Sequence, residues 1–497
     1  MDSFLVVFFT SLPFLLALGL AAMVAIFGGV VLGRPWLVLL PFLTALFWLT
    51  ESRFGRLDAS GGPTLLTRGA GQLLFPAFLW ALLISLAWLR IGAMAKPPGR
   101  ITPAMPLGPW FAAWAVLLVG HTTVALVMGV PLHLALSPSG FSLLVWIWVL
   151  IATMLAAVAQ PADARRLALF IMAMALARAL FGLVRFAAFG GDPSNAYANN
   201  QGLTLKLTFF DTNDSLLCAL GLAIALVMLY RAAPPQGWRI WQKTCLWATV
   251  VFPAVCIVLS FRRTAWIGTV LALVFVLLQL PRRVRWPLAG LALPVVLVGI
   301  AYAAWKRLSQ VRGSTGGFFY DIVARQFGPE SMRLLELQLA FKSFADHPLL
   351  GVGSWGGYAG WRQISWQYEY GEGGAGTFLH SGVLHLALKT GLVGMLLLAG
   401  TVVAFVLAWR RLRRTLPDAA MPLAVAGVAG VLFTLPDWLV GTPVSQVRTM
   451  MMLGLCLGLP FVAQRCFADG SAPAPARALA RAASRRAAAV PARLAAR

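Results

Sequence analysis

Long apolar runs, each of membrane-spanning length (roughly 17–25 residues), recur along the chain with short polar breaks between them. About 12–13 such runs can be counted, each predicting a helix able to cross a bilayer. The first, around Leu5–Phe27, is not followed by a small-residue cleavage site and is expected to be retained. The pattern predicts an all-α polytopic membrane protein.

The polar breaks differ in kind. Arginines cluster in three of them: Arg282, Arg283 and Arg285; Arg410, Arg411, Arg413 and Arg414; and the Arg/Ala/Pro-rich tail with Arg477, Arg481, Arg485, Arg486, Arg493 and Arg497. Such clusters mark the cytoplasmic side of a membrane protein. Threading spans between them puts segment 306–377 on the opposite face, as one large loop away from the cytoplasm. The breaks near 190–212, 261–263 and 436–446 fall on that same face. The expected layout is helices over 1–305, the loop over 306–377, helices over 378–466 and a basic tail over 467–497, disordered or lying on anionic lipid. With 13 spans the N-terminus is outside, and with 12 both ends are inside.

Inside the loop, Ser331–Phe344 is amphipathic, with Met332, Leu335, Leu337, Leu339 and Phe341 only partly at helical spacing. Trp355, Tyr358, Trp361, Trp366, Tyr368 and Tyr370 follow. They read either as interfacial anchors or as platforms for sugar rings. Glycines at 371, 373, 374 and 376 make the approach to the next span flexible.

Composition sharpens this picture. Only 11% of residues are charged and 60% are hydrophobic, whereas a soluble domain carries about a quarter charged. The net charge of +24 does not predict nucleic-acid binding, because the basic residues sit in short inter-span loops and the tail. Cys218, Cys245, Cys256, Cys456 and Cys466 lie in or near spans without paired spacing, as small core residues rather than a metal or disulfide set.

A charge within a span needs a reason, since arginine near the bilayer centre costs about 2.5–3.5 kcal/mol on insertion scales. Arg178 and Arg185 lie seven residues apart on one face of the span Leu167–Phe189. Arg262 and Arg263 occupy a tight turn on the outer side, and Arg448 opens the last span there. Each can snorkel or pair with Asp211, Asp214 or Asp437. Together they also read as a cationic pocket, whose guanidinium forks suit diphosphate oxygens. His380, opening the span after the loop, reads either as an interfacial histidine or as a general base. His385, five residues on, shares no face with it. With no His-Glu-x-x-His, P-loop or Gly-x-Ser-x-Gly motif, neither metal, nucleotide nor redox cofactor is expected.

Ser331 to Gly394 contains Arg333, then Asp346-His347-Pro348-Leu349-Leu350-Gly351-Val352-Gly353, then His380, then Lys389-Thr390-Gly391-Leu392-Val393-Gly394. This resembles the signature region of the O-antigen ligase and polymerase family of bacterial membrane glycosyltransferases. Upstream, Leu259–Trp266 is similar to the family's Ser-Arg turn, with Arg263 matching its arginine. Phe210-Asp211-Thr212-Asn213-Asp214 resembles its Asp-Pro-Asn element, with Thr212 in place of proline. Lys389 stands where glutamate is common, and Lys206 is the nearest cation where an arginine is usual. The ordered set covers roughly residues 160–460.

The resemblance implies a multi-pass inner-membrane enzyme acting on the periplasmic side, moving a glycan from undecaprenyl diphosphate to an acceptor hydroxyl without cofactor or obligatory metal. His380 and Arg263 would be catalytic. Arg185, Arg262, Arg333, Arg448, Asp211 and Asn213 would contact substrate. The acceptor would be lipid A–core for a ligase, a growing lipid-linked glycan for a polymerase, or a serine or threonine for a protein oligosaccharyltransferase. A transporter would be expected to show internal repeats, and none is seen. Membrane lipids are the other expected partner; the oligomeric state is left open.

Overall fold

The computed structural model describes residues 33–48, 75–94, 105, 107–188, 208, 212–234, 236–310, 329–364 and 379–467. Among these, every regular element is helical. The helices are α1 (Leu39–Trp48), α2 (Ala77–Met94), α3 (Gly108–Val127), α4 (Leu143–Ala157), α5 (Pro161–Ala188), α6 (Thr212–Tyr230), α7 (Ile240–Val258), α8 (Arg263–Gln279), α9 (Arg282–Gln310), α10 (Pro329–Asp346), α11 (Gly382–Thr415), α12 (Met421–Val440) and α13 (Val447–Phe467). Among the described residues, seven stretches are long and apolar enough to cross a membrane, and α1, α2, α4 and α8 belong to shorter apolar helices. The predicted first span, Asp211, the aromatics at 366–370, the glycines at 371–376 and the basic tail lie outside the described residues. Helix α9 runs past Lys306 to Gln310, so the predicted loop boundary falls inside a helix.

Helices apolar all round belong at the centre of a membrane bundle, and those with one lipid-facing side at its rim. The apolar window of α6 is 94% buried and that of α13 is 83%, against 28% for α3 and 22% for α11. The first two therefore form the core, with α12 beside them. Small residues let the backbones close up. A Cβ on Gly430 would lie 2.9 Å from Leu220 Cδ2 of α6, and one on Gly427 2.6 Å from the Cys456 carbonyl oxygen of α13.

The bundle has two distinct ends. At one, Arg231 pairs with Asp418 at 2.7 Å and donates to the Gln279 carbonyl at 3.0 Å. Arg285 there donates to the carbonyls of Leu277, Leu278 and Leu280. This end gathers the breaks around residues 231, 282 and 418. The opposite end gathers the starts of α6, α8 and α13 with the ends of α1 and α7. Arg262 donates to Thr212 Oγ1 at 3.4 Å, and Arg448 to the Leu46 and Phe47 carbonyls.

Candidate functional site

Helix α10 presents Glu336, Ala340 and Ser343, spaced i, i+4 and i+7, as a buried stripe. Ala340 is small enough to admit Tyr358, Ile364, Leu379 and Leu388 into one compact cluster, and Ser343 Oγ accepts the Ala359 N–H at 2.9 Å. One turn earlier stands Glu336, a carboxylate with no exposed surface. Burying such a group is costly unless it is hydrogen-bonded. Glu336 Oε2 accepts the backbone N–H of His380 at 3.0 Å and faces the ring Nδ1 at 2.9 Å. A carboxylate can only accept, so this contact favours the tautomer with its proton on Nδ1 and an acceptor lone pair on Nε2. The His380 side chain is 20% exposed. Ser381 then caps α11, its hydroxyl accepting from Leu384 N at 3.3 Å.

The two glycine-bearing signatures meet here, and they meet through their backbones. Gly391, at φ 62° and ψ −158°, interrupts α11. The freed N–H groups of Leu392 and Val393 donate to the Pro348 and Leu349 carbonyls at 2.8 and 3.2 Å, while Val352 N donates to the Leu388 carbonyl at 2.9 Å. A Cβ on Gly391 would fall 2.6 Å from Gly351 N, and one on Gly351 2.6 Å from the Lys389 carbonyl carbon. Only glycine fits both sides of this joint.

Beyond it, residues Trp355 to Arg362 line an open depression of about 610 Å³. That stretch is pinned rather than loose. Ser354 Oγ donates to the Ala135 carbonyl at 2.7 Å, and the wholly buried Lys389 donates to the Gly356 carbonyl. The ring of Trp355 stacks edge-on to His121, with centroids 6.3 Å apart. His385 is also buried, its Nε2 lying 2.6 Å from the Ser139 carbonyl oxygen.

The outward arginines divide into two groups. Arg178 and Arg448 form an internal ion cluster with Asp214. Arg178 grips both carboxylate oxygens at 2.9 and 3.0 Å, and Arg448 reaches Oδ1 at 2.9 Å. All three side chains are buried. Asn213 likewise turns inward, donating to Thr449 Oγ1 at 3.0 Å. The second group is more open. Arg262 and Arg263 follow Phe261, a non-glycine residue at φ 53°; the turn is braced by Trp266 Nε1, which donates to the Ile257 carbonyl at 3.0 Å. Arg263, the first residue of α8, is exposed. Arg185, one turn short of the end of α5, stacks on Phe181 at 5.7 Å. Arg333 is half-buried, one turn before Glu336.

The bundle packing relates Arg263 to His380. A Cβ on Gly268 of α8 would lie 3.1 Å from the Phe433 carbonyl carbon of α12. The start of α8 and the end of α12 lie at the same bundle end, so five residues from that contact Arg263 comes level with Trp438. Gly382 touches Trp438 and Pro443, with Cβ distances of 3.0 and 2.8 Å. His380 and Arg263 therefore flank the same end of α12.

Glu336 and Lys389 take part in this architecture without having been singled out as site residues. The signal for Glu336 was a lone carboxylate between Leu335 and Leu337, in phase with Ala340 and Ser343. Lys389 stood out only as a departure from the family pattern.

A family model described as O-antigen ligase matches residues 248–399. The match begins within α7, takes in the Arg262–Arg263 turn and α10, and ends past the Gly391 joint. No curated protein matches the chain.

Proposed function

We propose that this chain, whose residues 248–399 match a family model described as O-antigen ligase, transfers a glycan from undecaprenyl diphosphate to the hydroxyl of lipid A–core. The reaction takes place at the bundle end away from the arginine-rich loops, facing the periplasm across the inner membrane. The observation that carries this reading is His380 held by a buried Glu336, at the end of the bundle where Arg263 is exposed.

In the proposed step, the acceptor hydroxyl gives its proton to His380 Nε2 as its oxygen bonds to the anomeric carbon. Glu336 stabilises the imidazolium that forms and fixes the ring's direction. The bond from the anomeric carbon to the diphosphate oxygen breaks, and both bonding electrons leave with the diphosphate. Arg263, with Arg185 and Arg262, neutralises that developing charge through fork-shaped donors. Arg333, on the same helix as Glu336, is assigned to sugar or phosphate contact. Asp211 keeps the substrate-contact role expected from its motif. Arg448 and Asn213 support the site from behind through Asp214 and Thr449.

The test is the glycan profile of a strain lacking this chain. Long glycan retained on its lipid carrier, beside unmodified lipid A–core, is the expected result. Core capped by single repeat units would replace this reading with a polymerase, and an unchanged profile would overturn it.

A further inference from the structure

Three measures of depth agree across the bundle. Along α11, the nineteen residues from Arg410 back to Gly391 rise about 28 Å, close to a bilayer's hydrocarbon thickness of about 30 Å. Along α12, the eleven residues from Gly427, which packs on Pro460 of α13, to Trp438 rise about 16 Å. Phe405 of α11, whose ring meets the adjoining Phe461, lies fourteen residues or about 21 Å below Gly391, so Trp438 and Gly391 stand within about a turn of the same level. The third comes from α3, where Trp110 abuts Gly400 and His121 faces Trp355. The eleven residues from Trp110 to His121 rise about 16 Å, against about 14 Å for the nine from Gly400 up to Gly391. Gly391, Trp438 and Trp355 thus share one level. Gly382 touches Trp438, so the helical segment between Gly382 and Gly391 starts and ends at that level and runs across the bundle axis.

Helix α10 lies beside this segment, with Glu336 at His380 and the following Pro348–Leu349 at Leu392–Val393. It has three sides. Glu336, Ala340 and Ser343 face the segment; Gln338 and Lys342 are exposed polar residues; and Leu334 and Phe341, seven residues apart on one face, are 58% and 59% exposed. Leu349 and Leu350 extend the apolar side, at 67% and 55% exposure. They adjoin Leu392 and Leu396, exposed on the spanning half of α11. One side against protein, one polar and one apolar is the pattern of a helix seated in the bilayer interface.

We propose that α10 and the Gly382–Thr390 segment lie in the membrane–water interface, with Leu334, Phe341, Leu349 and Leu350 among the acyl chains. The occupant of this apolar face is bilayer lipid, continuous with the lipid around α11. Resting on the function proposed above, the seat holds Glu336 and His380 at the depth where a lipid-borne diphosphate emerges.

Spin labels test the seat without calling on any transferase activity. In a Cys245→Ser background, which removes the exposed thiol, Phe341→Cys and Lys342→Cys are labelled separately. Each is reconstituted in phosphatidylethanolamine–phosphatidylglycerol vesicles. The ratio of collisions with oxygen to collisions with a water-soluble nickel chelate is expected to be several-fold higher at 341 than at 342. Equal ratios would overturn the proposal, because the helix would then stand in water. Dipolar broadening between labels at 341 would overturn it in favour of a second copy of the chain on this face. If the seat holds while the deletion strain's glycans are unchanged, the surface stands and the assigned reaction falls.

Discussion

At residue scale the proposed chemistry rests on a histidine whose orientation is set from behind by Glu336. His380→Ala is expected to slow transfer by about 10²–10⁴-fold, the usual worth of a positioned base. Glu336→Gln should give a smaller loss, since the amide can still accept from the backbone N–H but cannot stabilise the imidazolium. Both are measured as turnover at saturating lipid-linked donor, with donor affinity unchanged. Arg263→Ala should instead weaken donor binding, read by titration with the lipid diphosphate. The internal cluster predicts a different phenotype. Asp214→Ala leaves two buried guanidiniums without their carboxylate and should cost about 3–5 kcal/mol of stability. That loss would appear as a lower melting temperature in detergent. His380 and Arg263 stand out in the sequence as an imidazole and a charge at span ends, while the roles proposed for them come from the family resemblance rather than from position. Glu336 does not stand out, because a single glutamate in an amphipathic helix reads as solvated until the fold shows which side is buried.

At the scale of elements, the Gly391 break is the most specific feature. Its φ and ψ lie where residues other than glycine are strained by about 1–3 kcal/mol, and a Cβ there would also meet the Leu349 backbone. Gly391→Ala should therefore destabilise by more than the strain alone and separate α10 from α11. The expected sign is earlier loss of protection in amide exchange at Val352, Leu392 and Val393 than elsewhere in the bundle. The sequence displayed these glycines as a pattern of spacing. It could not show that one set of carbonyls accepts from the other set's N–H groups, because two segments about forty residues apart carry no local mark of being partners. The helix around Ser331–Phe344 was legible from its amphipathicity, although its imperfect spacing is explained only by the fold. With Ala340 buried and Phe341 exposed, burial there does not follow hydrophobicity.

For the molecule as a whole, apolar runs and arginine clusters made the membrane class and its two-sidedness readable. The order of packing was not readable, since α6 and α3 are both apolar while one is central and the other peripheral. That difference comes from complementary small residues such as Gly427 and Gly430, whose partners lie far away in sequence. The small cluster of Tyr358, Ile364, Leu379 and Leu388 has a consequence for how such a chain can diversify. Ile364 and Leu379 are fixed in the same buried cluster, so the fourteen sequence positions between them are bounded by two clamped residues. Between two fixed anchors, doubling the length of a flexible segment costs only about 0.6 kcal/mol in closure entropy. A change in the length of chain between those two anchors is therefore expected to leave Leu379 in place, and with it the contact of the adjoining His380 with Glu336.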